Sequence, residues 1–267
     1  MDKPVIVGAV LYDPKVSVIW DIIREFFERQ RVPIDIAFFT SYELMVDALV
    51  KGDLDIAWNS PLAWLDSQRK TGGKCRAIAM RDTDRDRVSH IVVKKGSGIE
   101  KVSDLQGKTV AAGALDSPQA HLIPIEFLSK QGIDPQVKRF DLLVGKHGDH
   151  VGGEREALAC LERGEAAATC MMDLNWSAWL GDGTINGNEL EILATTEPYD
   201  HCVFTVRSDF ALEREKRWLE ALYSMTYDDP THRQMMDMEG LKQWLPGRTS
   251  GFGALSRAVE ALRFFGR

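Results

Sequence analysis

The sequence predicts an α/β protein of two lobes, each built on its own largely parallel sheet. Three observations carry that prediction. Short apolar runs of strand length alternate with segments whose apolar residues recur at helical spacing. The distance between successive strands demands crossovers rather than hairpins. The alternation also breaks and restarts once, with single strands near residues 90 and 204 joining the two sets. The division expected is residues 1–88 plus 203–267 as the first lobe and 89–202 as the second, with a two-strand hinge and a helical C-terminal tail. A chain of 267 residues, 44% of them hydrophobic, is long enough to fill two modest cores.

In order, Pro4–Leu11 is a buried strand, and Tyr12-Asp13-Pro14 turns out of it. Ile19, Ile22, Ile23, Phe26 and Phe27 then mark an amphipathic helix over Val16–Gln30. Ile34–Phe39 is a strand, and Thr40-Ser41-Tyr42-Glu43 is a capping box opening a helix that stops at Gly52. Asp55–Trp58 is a short strand. Ser60 caps the next helix with Pro61 at its first position. Cys75–Met80 is a strand, and Arg81–Arg87 reads as a charged surface turn.

Ser89–Lys95 is the strand that leaves the first lobe, and Ser103-Asp104 caps a short turn. Lys108–Ala112 is a buried strand, followed by the polar loop Gly113–Ser117 and a helix starting at Pro118 and ending at Gly132. Further strands are expected at Lys138–Leu143, Ala166–Met171 and Leu190–Thr195, with helices at Glu154–Arg163 and around Leu174–Leu180. Asp200–Arg207 returns as a strand, and helices occupy Leu212–Met225, a Met-rich segment over Thr231–Trp244, and Ala254–Phe265. Met235, Met236 and Met238 read as core filler.

The net charge of −7 argues against a nucleic-acid or anionic-membrane surface. No run of eighteen apolar residues exists, so membrane insertion is not expected. The four cysteines are scattered and carry no C-x-x-C pair, which favours reduced, buried thiols. The N-terminus runs straight into a strand, so the sequence as it stands reads as cytoplasmic, or periplasmic if a leader has been removed.

Ligands of such sheets bind outside the carboxyl ends of the strands. The candidates at those ends are Tyr12, Tyr42, Trp58, Asn59 and Ser60 in the first set. In the second they are Ser117, Gln119, His150, Tyr199 and His201, all expected to converge on one cleft between the lobes. Trp58 or Tyr42, or both, are expected to supply an aromatic wall. Asp13 and Asn175 read as cap or turn residues.

Several segments resemble a known family. Leu49-Val50-Lys51-Gly52-Asp53-Leu54-Asp55-Ile56-Ala57-Trp58 resembles the "AL-x-x-G-x-(V/I)-D-(I/V)-A" segment of periplasmic-binding-protein-like domains, and its continuation Asn59–Trp64 resembles the branch that includes the phosphonate, phosphite and phosphate receptors of ABC importers. Gly98-Ile99 with Ser103–Ala111 is similar to that branch's "SGI-x-x-x-x-DLKGK-x-(V/I)-A". Pro124 with Leu128–Asp134, Arg155–Ala168 and Phe204–Phe210 match further segments of it. The resemblance implies the type II binding-protein fold and closure of two lobes on a small polar or anionic solute, with an ABC permease as partner if the protein is exported.

Three positions depart from the family pattern. Ser117-Pro118-Gln119-Ala120 stands where the phosphonate loop reads Ser-Thr-Ser-Gly. The ligand histidine falls in Gly145–His150, where His147 and His150 are both candidates and the carry-over goes to His150. The hinge carries Tyr199-Asp200-His201-Cys202 in place of a proline-rich segment. With Asp116 adjacent, the loop is expected to suit a monoanion, zwitterion or neutral solute better than a phosphonate dianion. The reading is a binding protein rather than an enzyme, with no catalytic residue, metal or cofactor assigned. The alternative is a cytoplasmic enzyme or metal-complex binder on the same scaffold, using Cys202, His201 and His150.

Overall fold

The computed structural model describes residues 3–146 and 151–266. The chain divides into two compact units, Met1–Arg85 with His201–Ser250 and Asp86–Asp200 with Gly251–Arg267.

The first unit opens with β1 (Val5–Val10), α1 (Pro14–Arg29), β2 (Ile34–Phe39), α2 (Tyr42–Lys51), β3 (Ile56–Asn59), α3 (Pro61–Thr71) and β4 (Cys75–Arg81). Its helix starts follow from side-chain oxygens that accept from early backbone N–H groups. Asp13 caps α1 at Lys15 N (2.8 Å), Ser41 caps α2 at Leu44 N (3.4 Å), and Ser60 caps α3 at Ala63 N (3.2 Å). Gly52 ends α2 at φ 87°, a left-handed conformation that costs glycine nothing.

The second unit contains β5 (Ser89–Lys94), β6 (Thr109–Ala112), α4 (Ile123–Lys130), β7 (Gln136–Arg139), α5 (Val151–Glu162), β8 (Ala168–Met172), α6 (Asp173–Gly181) and β9 (Leu190–Thr195). The chain re-enters the first unit with β10 (Val203–Arg207), α7 (Leu212–Tyr223), α8 (Pro230–Glu239) and β11 (Trp244–Pro246), and ends with α9 (Gly253–Ala261) in the second.

The first sheet has the order β11-β4-β10-β3-β1-β2 and the second β7-β6-β8-β5-β9. In the first, β10 runs antiparallel to β3 and β4, and β11 antiparallel to β4. In the second, β5 runs antiparallel to β8 and β9. The reversed strands β5 and β10 are the two that the sequence places near residues 90 and 204.

Both sheets are covered on both faces, which is why their central strands read as apolar runs. One face of the first packs on Ile19, Ile23, Phe27, Trp218, Leu222, Met235 and Met236, and the other on Tyr42, Met45, Val46 and Leu49. The second packs Ile91, Val110 and Cys170 against Leu128 of α4, with Leu158, Leu161 and Trp179 on the opposite face.

Three features differ from the sequence reading. The C-terminal residues from Gly251 cluster with the second unit, not with the first as the sequence predicts for 203–267. Asp200 N donates to Gly251 O (2.8 Å), Arg257 pairs with Glu197, and Leu262 packs on the core around α4. Arg81–Arg87 is not simply a surface turn, since Asp84 is only 1% exposed. Strand β11, too short to show a period, adds to the edge of β4.

Candidate functional site

The carboxyl ends of β1, β3 and β4 share one edge of the first sheet with the start of the reversed strand β10. Asn59 ends β3 and is fully buried. Its Nδ2 donates to Ser67 Oγ and Thr205 Oγ1, both at 3.0 Å, and its Oδ1 has no hydrogen-bond partner among the described residues. Ser60, next in the chain, is the buried cap of α3.

Strand β4 ends at Arg81, whose guanidinium forks onto Asp84, Nε to Oδ2 and Nη2 to Oδ1, both at 2.8 Å. Nη1 donates at 2.9 Å to both the carbonyl and the carboxylate Oε2 of Glu239. Burial alone would raise the Asp84 pKa, but the Arg81 charge and hydrogen bonds from Arg81 and His201 hold it far below the usual range. Asp84 Oδ1 also accepts from Cys202 N (3.1 Å), and Asp84 O from His201 N (2.7 Å).

His201 Nδ1 lies 3.1 Å from Cys202 Sγ and 3.6 Å from Asp84 Oδ1. Its Nε2 is buried and has no hydrogen-bond partner among the described residues. Asp84, His201 and Cys202 thus offer three ligand atoms within 4.8 Å of one another, of types that suit a soft divalent cation. Against that use, both Asp84 oxygens already receive the Arg81 fork, which sets a fixed positive charge beside the place an ion would take. Nor is the cluster a nucleophile–base–orienter relay, in which the two partners lie on opposite ring nitrogens. Here Cys202 and Asp84 both face Nδ1.

In the second unit, β6 runs into Gly113 and the polar loop. Ser117 Oγ accepts from Ala120 N (3.1 Å), while its carbonyl accepts from His121 N (3.2 Å) and Leu122 N (2.9 Å). The helix therefore opens as a five-residue π-turn, Pro118–Leu122. Pro124 accounts for this. It has no N–H for the carbonyl of Ala120, which instead accepts from Gly113 N at 3.0 Å. A Cβ at Gly113 would stand 2.8 Å from that of Ala120, so only glycine fits there.

Gln119 is buried, and its backbone oxygen accepts from Ser89 Oγ at 2.6 Å. Ser89 Oγ lies 3.1 Å from the Tyr199 hydroxyl. The single serine proton serves Gln119, so Tyr199 is the donor to Ser89. Burial lifts the Tyr199 hydroxyl well above its usual pKa and keeps that proton in place.

The Gln119 side chain donates from Nε2 to Glu154 Oε1 at 3.2 Å. Glu154 Oε2 accepts from Met172 N (3.1 Å) and Asn175 Nδ2 (2.8 Å). Burial raises the Glu154 pKa, against the pull of those three donors. Asp116 Oδ2 accepts from Gly145 N at 2.6 Å.

The structure thus joins Gln119 to Tyr199 through Ser89, with Ser117 as the cap two residues before Gln119, and places Asn59, Ser60 and His201 at one edge of the other sheet. Tyr12 follows β1 and is half-buried against the core of the first unit. His150, with His147 and Asp149, lies outside the described residues. Tyr42 and Trp58, expected to supply an aromatic wall, both pack in cores of the first unit. Tyr42, at the first position of α2, points back onto Met45, Val46 and Leu49 and is 1% exposed. Trp58 packs on Phe204 (4.5 Å between ring centroids) and Trp244 (5.9 Å), under the Arg81 guanidinium at 5.3 Å. The cover over Trp58 comes from β11, which the sequence did not reveal.

Asp84, Arg81, Ser89 and Glu154 were not among the sequence candidates. Asp84 sits in an alternating charge run, and Glu154 in a first helical turn where a carboxylate needs no further reason.

The family model described as "ABC transporter, phosphonate, periplasmic substrate-binding protein" matches residues 12–251. The chain belongs to this family. Among curated proteins, the probable ABC transporter phosphite binding protein PhnD1 of Prochlorococcus marinus is 22% identical over 210 residues, 75% of this chain and 69% of that protein. The structure of PhnD1 in complex with methylphosphonate has a TM-score of 0.73 at 20% identity, covering 98% of both chains. XAC2383 of Xanthomonas citri bound to ATP has a TM-score of 0.74 at 18% identity, covering 98% of this chain and 99% of that one. These likenesses establish the fold as the type II periplasmic-binding-protein fold, two α/β units with a helical C-terminal portion, and the family as that of ABC-transporter substrate-binding proteins.

Proposed function

We propose that the protein is a solute receptor that binds a small polar or anionic molecule and passes it to an ABC permease, in the periplasm that the family's description names. The observation that carries this reading is the buried Ser117–Gln119 loop at the end of β6. It is rich in polar groups, braced by Ser89, Tyr199 and Glu154, and built on a π-turn that a plain strand-to-helix connection does not need. In the first unit, His201 Nε2 and Asn59 Oδ1 are the further candidate contacts, since neither has a partner among the described residues. Phosphite and methylphosphonate, named for PhnD1, are the first ligands to try.

Thermal unfolding of the purified protein against phosphonates, phosphate, sulfonates, amino acids and small carboxylates tests the reading. A true ligand at a hundred times its Kd stabilises by about 2.7 kcal/mol. The expected result is a saturable rise in Tm for one class, with the solute recovered unchanged. Conversion of a bound solute into product would overturn the receptor reading in favour of an enzyme.

A further inference from the structure

We infer that the free edge of β2 pairs with a second copy of this chain, the two β2 strands joining antiparallel about a two-fold axis through Ile36. The surface belongs to the first unit alone, and pairing needs neither solute nor permease.

β2 ends the first sheet and pairs with β1. Val5 N donates to Pro33 O at 3.0 Å, and Leu11 N donates to Phe39 O at 2.9 Å. The N–H and C=O of one strand residue point the same way, and successive residues alternate. The odd-numbered residues of β2 therefore bond to β1. Ile34, Ile36 and Phe38 turn their N–H and C=O groups to the free edge, where they have no further hydrogen bond among the described residues.

The other sheet edges are blunted in ways that keep chains apart. β7 is four residues long, with Lys138 and Arg139 exposed. β11 is three residues long and ends at Pro246. β9 pairs with β5 through a register break between Ile91 and Val92. By contrast, β2 runs six residues in unbroken register, without proline or a basic residue, and leaves Phe38 43% exposed.

Placed antiparallel about Ile36, this edge complements itself. Ile36 exchanges both bonds with the partner's Ile36, and Ile34 does so with the partner's Phe38. The exposed Phe38 ring then stands across from a β-branched side chain, a favourable cross-strand pair. Asp35 falls opposite the partner's Ala37, whereas a register centred on Asp35 would set two carboxylates face to face. Charge complements the ends as well. Arg31 is exposed just before β2, and Glu43 is exposed in the first turn of α2 just after it. Antiparallel pairing brings each Arg31 toward the partner's Glu43. Arg31 holds φ 58°, where glycine would be less strained, so the turn itself does not account for an arginine there.

The test is sedimentation velocity of the full chain from micromolar to near-millimolar concentration, with hydrogen exchange at both ends of the range. The expected result is a reversible doubling of mass. With it, the amides of Ile34, Ile36 and Phe38 gain protection at high concentration, while those of Asp35, Ala37 and Phe39 are protected throughout. Ile36→Pro removes an outward N–H and no bond to β1, and should raise the dimer Kd at least about tenfold. Phe38→Lys leaves the backbone intact and sets a cation on the edge, and should weaken the dimer even if Ile36→Pro does not fold.

A monomer at every concentration overturns the inference, and so does growth past the dimer, since a two-fold pairing closes. A dimer unchanged in both variants, or one whose Ile36 and Phe38 amides still exchange freely, overturns it too.

Discussion

Arg81 and Asp84 form a two-bond fork at the end of β4, with both bonds at 2.8 Å, and the same carboxylate receives the backbone N–H of Cys202. The pair therefore links the end of one strand to the start of its reversed neighbour, β10. Removing one partner of such a buried pair leaves a charge without compensation and costs about 3–5 kcal/mol. Asp84→Asn should lower the unfolding free energy by that order in urea titrations at neutral pH. The depressed Asp84 pKa fixes the sign of the pH effect. Its stabilisation is present above 3.8, the ordinary value, and is lost as pH falls through the lower folded value. The variant should lack that part of the acid sensitivity.

Glu154 should act in the opposite sense. Its folded pKa is raised above the ordinary 4.5, so the unfolded chain gives up the proton first. Stability is lost as pH rises from 4.5 through the folded value. Glu154→Gln should gain on wild type over this window and hold a constant difference above it. Unfolding curves collected in small pH steps will show it. A difference that shrinks with rising pH would contradict the assignment.

Gly152 and Gly153 give a matched pair at the start of α5. A Cβ at Gly153 would lie 2.9 Å from the carbonyl of Phe140 and 3.4 Å from Ala114 N, so either α5 or the loop must shift. At Gly152 its nearest neighbour is a leucine methyl at 3.6 Å, an ordinary contact. Gly153→Ala should cost about 1–3 kcal/mol, the usual penalty for overpacking. Gly152→Ala should be neutral or stabilise by about 0.5–1 kcal/mol through helix propensity. Thermal melts of both proteins decide it.

Trp58 distinguishes core from site. Packed on Phe204 and Trp244, it should cost about 3–5 kcal/mol when cut to alanine. Trp58→Phe should keep most of the stability and bind solute within a few-fold of wild type. An affinity loss of a hundredfold in Trp58→Phe with an unchanged melt would return this residue to the site.

Much of this fold was legible because its signals are local. Asp13, Ser41, Ser60 and Ser117 lie where a cap is needed, Pro61 where its missing N–H is harmless, and Gly52 where φ turns positive. The strands that leave and rejoin the first unit were legible as single runs in a broken alternation. What was not legible depends on partners distant in sequence. In Arg81-Asp82-Thr83-Asp84-Arg85-Asp86-Arg87, nothing local says that His201, Cys202 and Glu239 will cover Asp84. Amphipathic spacing in α9 says that one face is buried, but not on which sheet. In the candidate site, the Ser117 cap was visible, while Glu154 gains its meaning only when Gln119, Met172 and Asn175 arrive from three other segments. The π-turn was within reach, since Pro124 stands four residues after Ala120 and removes the N–H that a regular first turn would use.

The central claim is that this chain binds a small solute through the loop that Ser117 and Gln119 build. The most direct test is calorimetric titration of wild type and Ser117→Ala with the solute giving the largest thermal shift. The account predicts one saturable site in the wild type, and in the variant a loss of a few-fold to about a hundredfold, corresponding to one hydrogen bond to a neutral or charged ligand. The fold itself should lose only about 1 kcal/mol from the missing cap. Equal affinity in the two proteins, with the cap loss visible in the melt, would contradict it.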